Sequence, residues 1–252
     1  MISRAAAASF DLLLCLPEGM KRTQVKAHLN SSSEDCVEAE WKSKIEKNSF
    51  LYNGSKFRFA GTRCFTLSGD ERNQESHVLL QFGITDYRAH VGTNLRADWD
   101  ANSGECMANT LGNAAIVETC DGQIVLLQRS GNVGECHNAV VLPGGHAEPE
   151  RIGIKSLQDW NEMNEKGTVP TEDDVRFPIV LLPGADARTT QVVSELWNAI
   201  LEEVEEETGI LPSEVEEPIF LGFARRVVNH RTCMLFLVKT RLSSSEVTRR
   251  DV

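Results

Sequence analysis

The sequence is narrowed first by what it lacks. No apolar run approaches the roughly 20 residues a helix needs to cross a bilayer, so no segment is expected to span a membrane. No internal repeat and no strong low-complexity tract interrupts the chain. Positive charge is in deficit: 26 Lys and Arg stand against 37 Asp and Glu, giving a net charge of −11 and an isoelectric point near 5.1. A general nucleic-acid binder attracts the phosphate backbone with a basic field, so that class is excluded. A small anionic substrate would need local help from arginines or a metal. Seven cysteines are present, at positions 15, 36, 64, 106, 120, 136 and 233, but none are spaced C-x-x-C. An odd number without such a pair supports neither a disulfide framework nor a zinc site, and a reducing, cytoplasmic setting is expected. The opening MISRAAAASF has the arginine and alanines of a transit peptide, yet it runs at once into DLLLCL, which reads as a strand.

Glutamate is what the chain has in excess. In LEEVEEETGI, residues 201–210, five glutamates occupy six positions before a glycine. Upstream, Val193, Leu196, Trp197, Ile200, Leu201 and Val204 recur at helical spacing, which predicts an amphipathic helix with this stripe against a core. Gly209 suits the left-handed position that ends such a helix. At about 100° per residue, Glu203, Glu206 and Glu207 share one arc beside the apolar stripe, while Glu202 and Glu205 point to water. Like charges three and four positions apart weaken a helix by a few tenths of a kcal/mol per pair. A hard divalent cation such as Mg²⁺ or Mn²⁺ removes that repulsion, so a metal site competes with the plainer reading of a solvated acidic face.

Elsewhere FDLLLCL reads as a strand, SEDCVEAEWKSKIEKN as a polar helix and KFRFAG as a strand. In NAAIVETCDGQIVLLQRS two apolar runs flank Asp121 and Gly122, which predicts a hairpin. NAVVLPGGHAEPE runs a strand into a glycine loop. Residues 151–190 hold three prolines without periodicity and read as an insertion. The run PIFLGFARRVVNHRTCMLFLVKTRL then reads as two strands around a polar turn.

The loop GGHAEPE and the helix LEEVEEETGI together resemble the two halves of the Nudix box, G-x5-E-x7-R-E-U-x-E-E-x-G-U with U aliphatic. The segments LLLCLPEG, KFRFAG, LQFGITDYRAHVGTNL, LGNAAIVET, LLQRS, VLPGGHAEPE and FLGFARR extend the resemblance, over most of the chain, to the Nudix subgroup of nucleoside diphosphate sugar diphosphatases. That subgroup cleaves UDP-glucose or UDP-galactose in animals, and its plant relatives include GDP-mannose-cleaving enzymes. The resemblance implies an α/β/α sandwich with a mixed sheet at residues 106–252, preceded by an N-terminal α+β subdomain at 1–105. The box is split: 58 positions separate Gly145 from Glu203 where the undivided pattern has 15, which places the insertion at about 151–190. Three features depart from the pattern. Glu202 stands where the box has arginine, so the usual ion pair orienting a metal-binding glutamate is expected to be missing. Counted back from Glu203, the upstream glutamate falls on Ser194, with Glu195 one position late. The chain ends at SSSEVTRRDV, where members of the subgroup continue, which implies a C-terminal truncation.

The resemblance implies that Glu203, Glu206 and Glu207 hold Mg²⁺, or Mn²⁺, and carry the catalysis, with Glu206 a ligand or the group that accepts the water's proton. Gly144 and Gly145 are expected to shape the substrate loop, and Glu148 and Glu150 either support the metal site or are plain polar loop residues. Arg129, with Arg225 or Arg226, is a candidate to grip phosphates. Tyr87, Arg88, Thr93 and Asn94 combine a ring, a cation, a hydroxyl and an amide suited to base and ribose recognition. His146 beside the glycines is more often a loop histidine than a base. The implied activity is hydrolysis of a nucleotide sugar, UDP-glucose or UDP-galactose first, to a nucleoside monophosphate and a sugar 1-phosphate. GDP-mannose or ADP-ribose is the alternative substrate, and a Nudix-fold binding module the alternative class. The expected partner is therefore a small-molecule nucleotide sugar.

Overall fold

The computed structural model describes residues 10–21, 25–29, 38–47, 51–67, 75–95, 107–128, 139–155, 159 and 187–250. Arg129, most of the expected insertion and the first nine residues lie outside these described residues. Within them, β1 (Phe10–Met20), β8 (Ile219–Arg226), β9 (Thr232–Lys239) and β5 (Leu111–Glu118) form a mixed sheet in that order. β8 runs antiparallel to β1 and β9, and β5 runs parallel to β9. A second sheet has the order β2 (Val25–Leu29), β4 (Glu75–Asp86), β3 (Ser55–Leu67). The short pair β6 (Leu127–Gln128) and β7 (Val140–Val141) stands apart. Helices are α1 (Glu38–Lys47), α2 (Tyr87–Gly92), α3 (Ala187–Thr208) and α4 (Ser244–Thr248). No helix among the described residues is long and apolar enough to cross a membrane. Mixed sheets with one long packed helix agree with the expected sandwich.

Each element follows from its residues. β9 alternates buried and half-buried positions along its length, because successive side chains of a strand point to opposite faces. β1 sits at the sheet edge, and its register with β8 breaks between Cys15 and Met20, where Pro17 removes a ladder donor that an edge strand can lose. In α3 all six stripe residues are buried, and the helix closes at Gly209 with φ +67. Trp197 anchors it: the indole Nε1 donates to the Pro218 carbonyl at 2.8 Å, and the ring meets Phe236 edge-on at 5.0 Å. A large side chain fully withdrawn from water stabilises by roughly 2–3 kcal/mol, so the stripe fixes α3 against the sheet in rotation as well as position.

Two expectations shift. The turn at Asp121 and Gly122 forms, but only a bridge from Glu118 to Ile124 joins its arms before the chain peels away into β6, which pairs with β7. The subdomain boundary near residue 105 separates no two cores: Met20, Phe57, Leu80 and Phe82 share one buried cluster with Leu111, Trp197 and Phe236, and β1 pairs inside the C-terminal sheet.

Candidate active site

The glycine loop lies between the free edge of β5 and one face of α3. On the β5 side, Asn113 N donates to Gly145 O at 3.0 Å and Ala115 N to Pro143 O at 2.8 Å. The Asn113 side chain returns the contact, its Oδ1 accepting from Gly145 N at 2.8 Å. On the helix side, alternate loop N–H groups meet carboxylates. Gly144 N donates to Glu207 Oε2 at 2.8 Å, His146 N to Glu203 Oε1 at 3.2 Å and Glu148 N to Glu195 Oε1 at 2.9 Å. Two residues of extended chain span about 6.6 Å and one helical turn of four residues about 6 Å, which is why loop positions 144 and 146 match helix positions 207 and 203. Glycine is required by space: a Cβ on Gly145 would fall on the Glu203 carboxylate, and one on Gly144, at φ +156, on the backbone of Asn113. The N–H groups of both glycines are therefore engaged inside the protein.

These bonds fix one oxygen of Glu203 and one of Glu207. Burial raises the Glu203 pKa above the ordinary carboxylate value; the His146 N–H and Arg151 oppose the rise, while Glu207 and Glu206 add to it. Glu206 is exposed and Glu203 and Glu207 half-buried. Among the described residues no three acidic, histidine or cysteine side chains converge into a ready-made metal cage. The donor chemistry nevertheless fits a hard cation, because like charges grouped on one rigid helix face repel one another and a divalent charge relieves that repulsion, with water and substrate oxygens completing the shell.

Glu195, which sequence reasoning left as a displaced motif residue, is nearly fully buried. Burial pushes its pKa up to about 7, against the Glu148 N–H and Arg151, which lower it. His146 is held well below its ordinary value, first by burial and then by Arg231, Lys56 and His90; near neutral pH it is an uncharged loop residue. Glu148 and Glu150 fasten the loop to the N-terminal half. Lys56 Nζ lies 3.2 Å from Glu148 Oε1, and Ser55 N donates to Glu150 Oε1 at 3.1 Å.

Glu202 corrects an expectation. It does not simply face water: its Oε2 forms an ion pair with Arg151 Nη1 on the loop. A helix–loop ion pair thus forms where none was expected, because the fold brings together residues that the insertion separates in sequence.

A cavity of about 370 Å³ opens beside Glu207 and Gly144, with Asn113, Arg226, Arg231 and Cys233 among its walls. Of the two candidate arginines on β8, Arg226 lines this cavity, while the Arg225 guanidinium is bound to Asp11 at 2.9 Å. Arg231 was missed; a lone arginine after a polar turn carries no pattern that marks it. Asn113 was missed as well, although an amide inside the apolar run of β5 is a usable signal. Cys233 is half-buried; desolvation pushes its thiol up to about 11 and leaves it a poor nucleophile at neutral pH.

Tyr87, Arg88, Thr93 and Asn94 do not line this cavity. The Tyr87 ring packs between Trp41 at 6.1 Å and His90 at 6.3 Å. The Arg88 N–H donates to Asn53 Oδ1 at 2.8 Å, and its guanidinium lies 3.6 Å from Asp86. Thr93 Oγ1 donates to Ala89 O at 2.7 Å and accepts from Ala108 N at 3.1 Å. Asn94 Nδ2 donates to Asn229 O at 2.8 Å. Asn229 sits in the turn between β8 and β9, and its Oδ1 accepts from Arg231 N at 3.3 Å. The segment thus props the turn that carries Arg226 and Arg231.

Comparison with known proteins gives relatives along most of the chain. No family model matches the chain. Over 259 residues it is 35% identical to Nudix hydrolase 9 of Arabidopsis thaliana, covering 95% of this chain and 77% of that protein. It is 30% identical to the uridine diphosphate glucose pyrophosphatase NUDT22 of Bos taurus, over 94% of this chain and 79% of the relative. The Homo sapiens protein of the same name is 25% identical, over 94% and 75%.

Proposed function

Because this chain belongs to the Nudix hydrolase family and is thus a hydrolase of phosphoric anhydrides, we propose that it cleaves the diphosphate of a nucleoside diphosphate sugar, UDP-glucose or UDP-galactose, with Mg²⁺. The products are a nucleoside monophosphate and a sugar 1-phosphate. The single observation that carries this reading is that Glu207, Gly144, Arg226 and Arg231 line one cavity. A carboxylate and two guanidiniums lining one cavity suit a diphosphate that must be bound through both metal-facing and free oxygens. Similarity to the uridine diphosphate glucose pyrophosphatases of Bos taurus and Homo sapiens supports the uridine nucleotide.

In this reading Glu203 and Glu207 would hold the cation, which supplies charge neutralisation on the phosphates and a lowered pKa for water. Arg226 and Arg231 bind and orient the diphosphate. The N–H groups of Gly144 and His146 hold Glu207 and Glu203 at fixed positions, and the lack of side chains on Gly144 and Gly145 lets the loop lie on the helix. Glu206, exposed and without a loop N–H bond, takes the proton of the attacking water. Tyr87, Arg88, Thr93 and Asn94 act through the turn they support instead of touching base or ribose.

Purified chain is incubated with UDP-glucose, UDP-galactose, GDP-mannose and ADP-ribose, with Mg²⁺ or with chelator, and the products are separated by chromatography. Chelator-sensitive release of UMP from a UDP sugar is the expected result. Faster release from GDP-mannose or ADP-ribose would overturn the uridine assignment. No turnover by a cooperatively melting protein would leave a Nudix-fold nucleotide-binding module.

A further inference from the structure

We propose that the Arg151–Glu202 ion pair ties the glycine loop to the acidic helix, with the charges of two box positions exchanged, and that this pair positions Glu203. The proposal rests on the hydrolase reading above. Counted forward from Gly145 instead of back from Glu203, the acid of G-x5-E falls on Arg151, because the insertion detaches the loop half of the box from its helix half. In the pattern R-E, the arginine directly precedes the first glutamate of the catalytic helix; directly before Glu203 stands Glu202. Each position departs from the pattern, and the two departures compensate. Coulomb attraction depends on the product of the charges, so a pair reversed at both ends still ties the same loop to the same turn of helix.

The geometry gives that tie a defined task. Arg151 Nη1 engages Glu202 Oε2, and its Nε lies 3.6 Å from Glu148 Oε2. Glu148 N is itself bound to Glu195, and His146 N to Glu203. Loop positions 146, 148 and 151 are thus fastened to helix positions 203, 195 and 202, and Arg151 is the only one of these fastenings made by a cationic side chain. Its backbone is held by the 3-10 turn Pro149–Ile152, where Arg151 N donates to Glu148 O at 3.0 Å and the fully buried Ile154 anchors the exit. A guanidinium on a fixed backbone loses less freedom on pairing than one on a mobile loop. Its charge also opposes the repulsion that Glu206 and Glu207 exert on Glu203. Arg151 and Glu202 are positioning residues, because neither faces the cavity beside Glu207.

The test is a charge-exchange cycle: Arg151→Glu, Glu202→Arg and the double variant. For each, kcat and KM on the hydrolysed sugar, the Mg²⁺ concentration giving half-activation, and the melting temperature with and without Mg²⁺ are measured. Neighbours coupled through a shared network depart from additivity. Each single reversal is expected to lower kcat by about tenfold or more with little change in KM, and to raise the Mg²⁺ requirement; the double variant should recover to within about threefold of the starting protein. A double variant no better than the worse single, in proteins that melt cooperatively, would overturn the proposal, as would single reversals without effect. If a reversal prevents folding, Arg151→Met and Glu202→Gln replace the charges by neutral groups. Both should then reduce the Mg²⁺-induced rise in melting temperature, and an unchanged rise counts against the pair. A starting protein that hydrolyses no nucleotide sugar but is stabilised by Mg²⁺ would sink the hydrolase reading alone, leaving that rise to decide the pair. One showing neither effect would sink both.

Discussion

Two stretches of this chain carry similar mixtures of polar groups, residues 87–94 and residues 144–151, and the fold uses them in opposite ways. In the first, Thr93 and Asn94 are buried and bind Ala89, Ala108 and Asn229. In the second, the backbone N–H groups hold Glu207, Glu203 and Glu195 by one oxygen each. A buried polar group must be satisfied from within, so a segment rich in hydroxyl and amide groups can be a prop. A half-buried carboxylate with one oxygen engaged still presents another. The difference lies in where the second partner comes from, and composition does not record it.

The largest effect expected to test that contrast comes from the loop-bound carboxylates. Glu207→Gln keeps the acceptor for Gly144 N and removes the charge, and should lower kcat/KM by roughly 10²-fold or more while abolishing stabilisation by Mg²⁺. Full retained activity would remove Glu207 from the site. Next comes the pH dependence of Glu195, whose pKa stands at about 7 in the folded chain against the ordinary 4.5. The folded state then holds a proton that the unfolded state has released between these values. Its stabilising contribution is whole below the unfolded value and is lost as pH rises through about 7, a change of order 3 kcal/mol. Melting in chelator should therefore show the stability advantage of Glu195→Gln growing from pH 5 to pH 8; Glu203 shifts in the same direction but is common to both proteins. Parallel curves would show that Glu195 is ordinary.

A smaller effect is expected from the prop. Asn94→Ala leaves the Asn229 carbonyl without its buried donor and should destabilise by about 1–2 kcal/mol. If the segment acts through the turn, KM should rise while kcat holds; an effect on kcat with KM unchanged would instead put Asn94 near the reacting atoms. The smallest belongs to Lys56, whose ion pair with Glu148 is half-exposed on the glutamate side. Lys56→Ala should change stability by no more than about 1 kcal/mol, and a larger loss in a denaturant titration would mean that the N-terminal half holds the loop more firmly than the geometry indicates.

Much of this was legible because it repeats locally. The stripe from Val193 to Val204 named both the helix and its buried face, and the shared arc of Glu203 and Glu207 followed from the same angle. β8 and β9 announced themselves as two apolar runs around a polar turn. The arm after Gly122 did not: alternation shows which side chains of a strand are covered, not which edge it pairs with, and Leu127 and Gln128 found β7. Glu202 was read as facing water because helical angle says nothing of what lies outside the helix. Arg231, Asn113 and Arg151 each stand far in sequence from the group they meet; no spacing marks the first two, and only the count from Gly145 marks Arg151.

The sequence by itself determined the period of each element, the face each helix and strand buries, the glycines that let a loop lie on α3, and the family. Only the tertiary structure decided that Arg151 meets Glu202, that Asn94 holds the turn bearing Arg231, and that β1 closes the C-terminal sheet. The reason is physical. Periodicity is set by backbone angles that neighbours along the chain share, whereas contacts across 50 or 200 positions depend on how the packed core closes the chain.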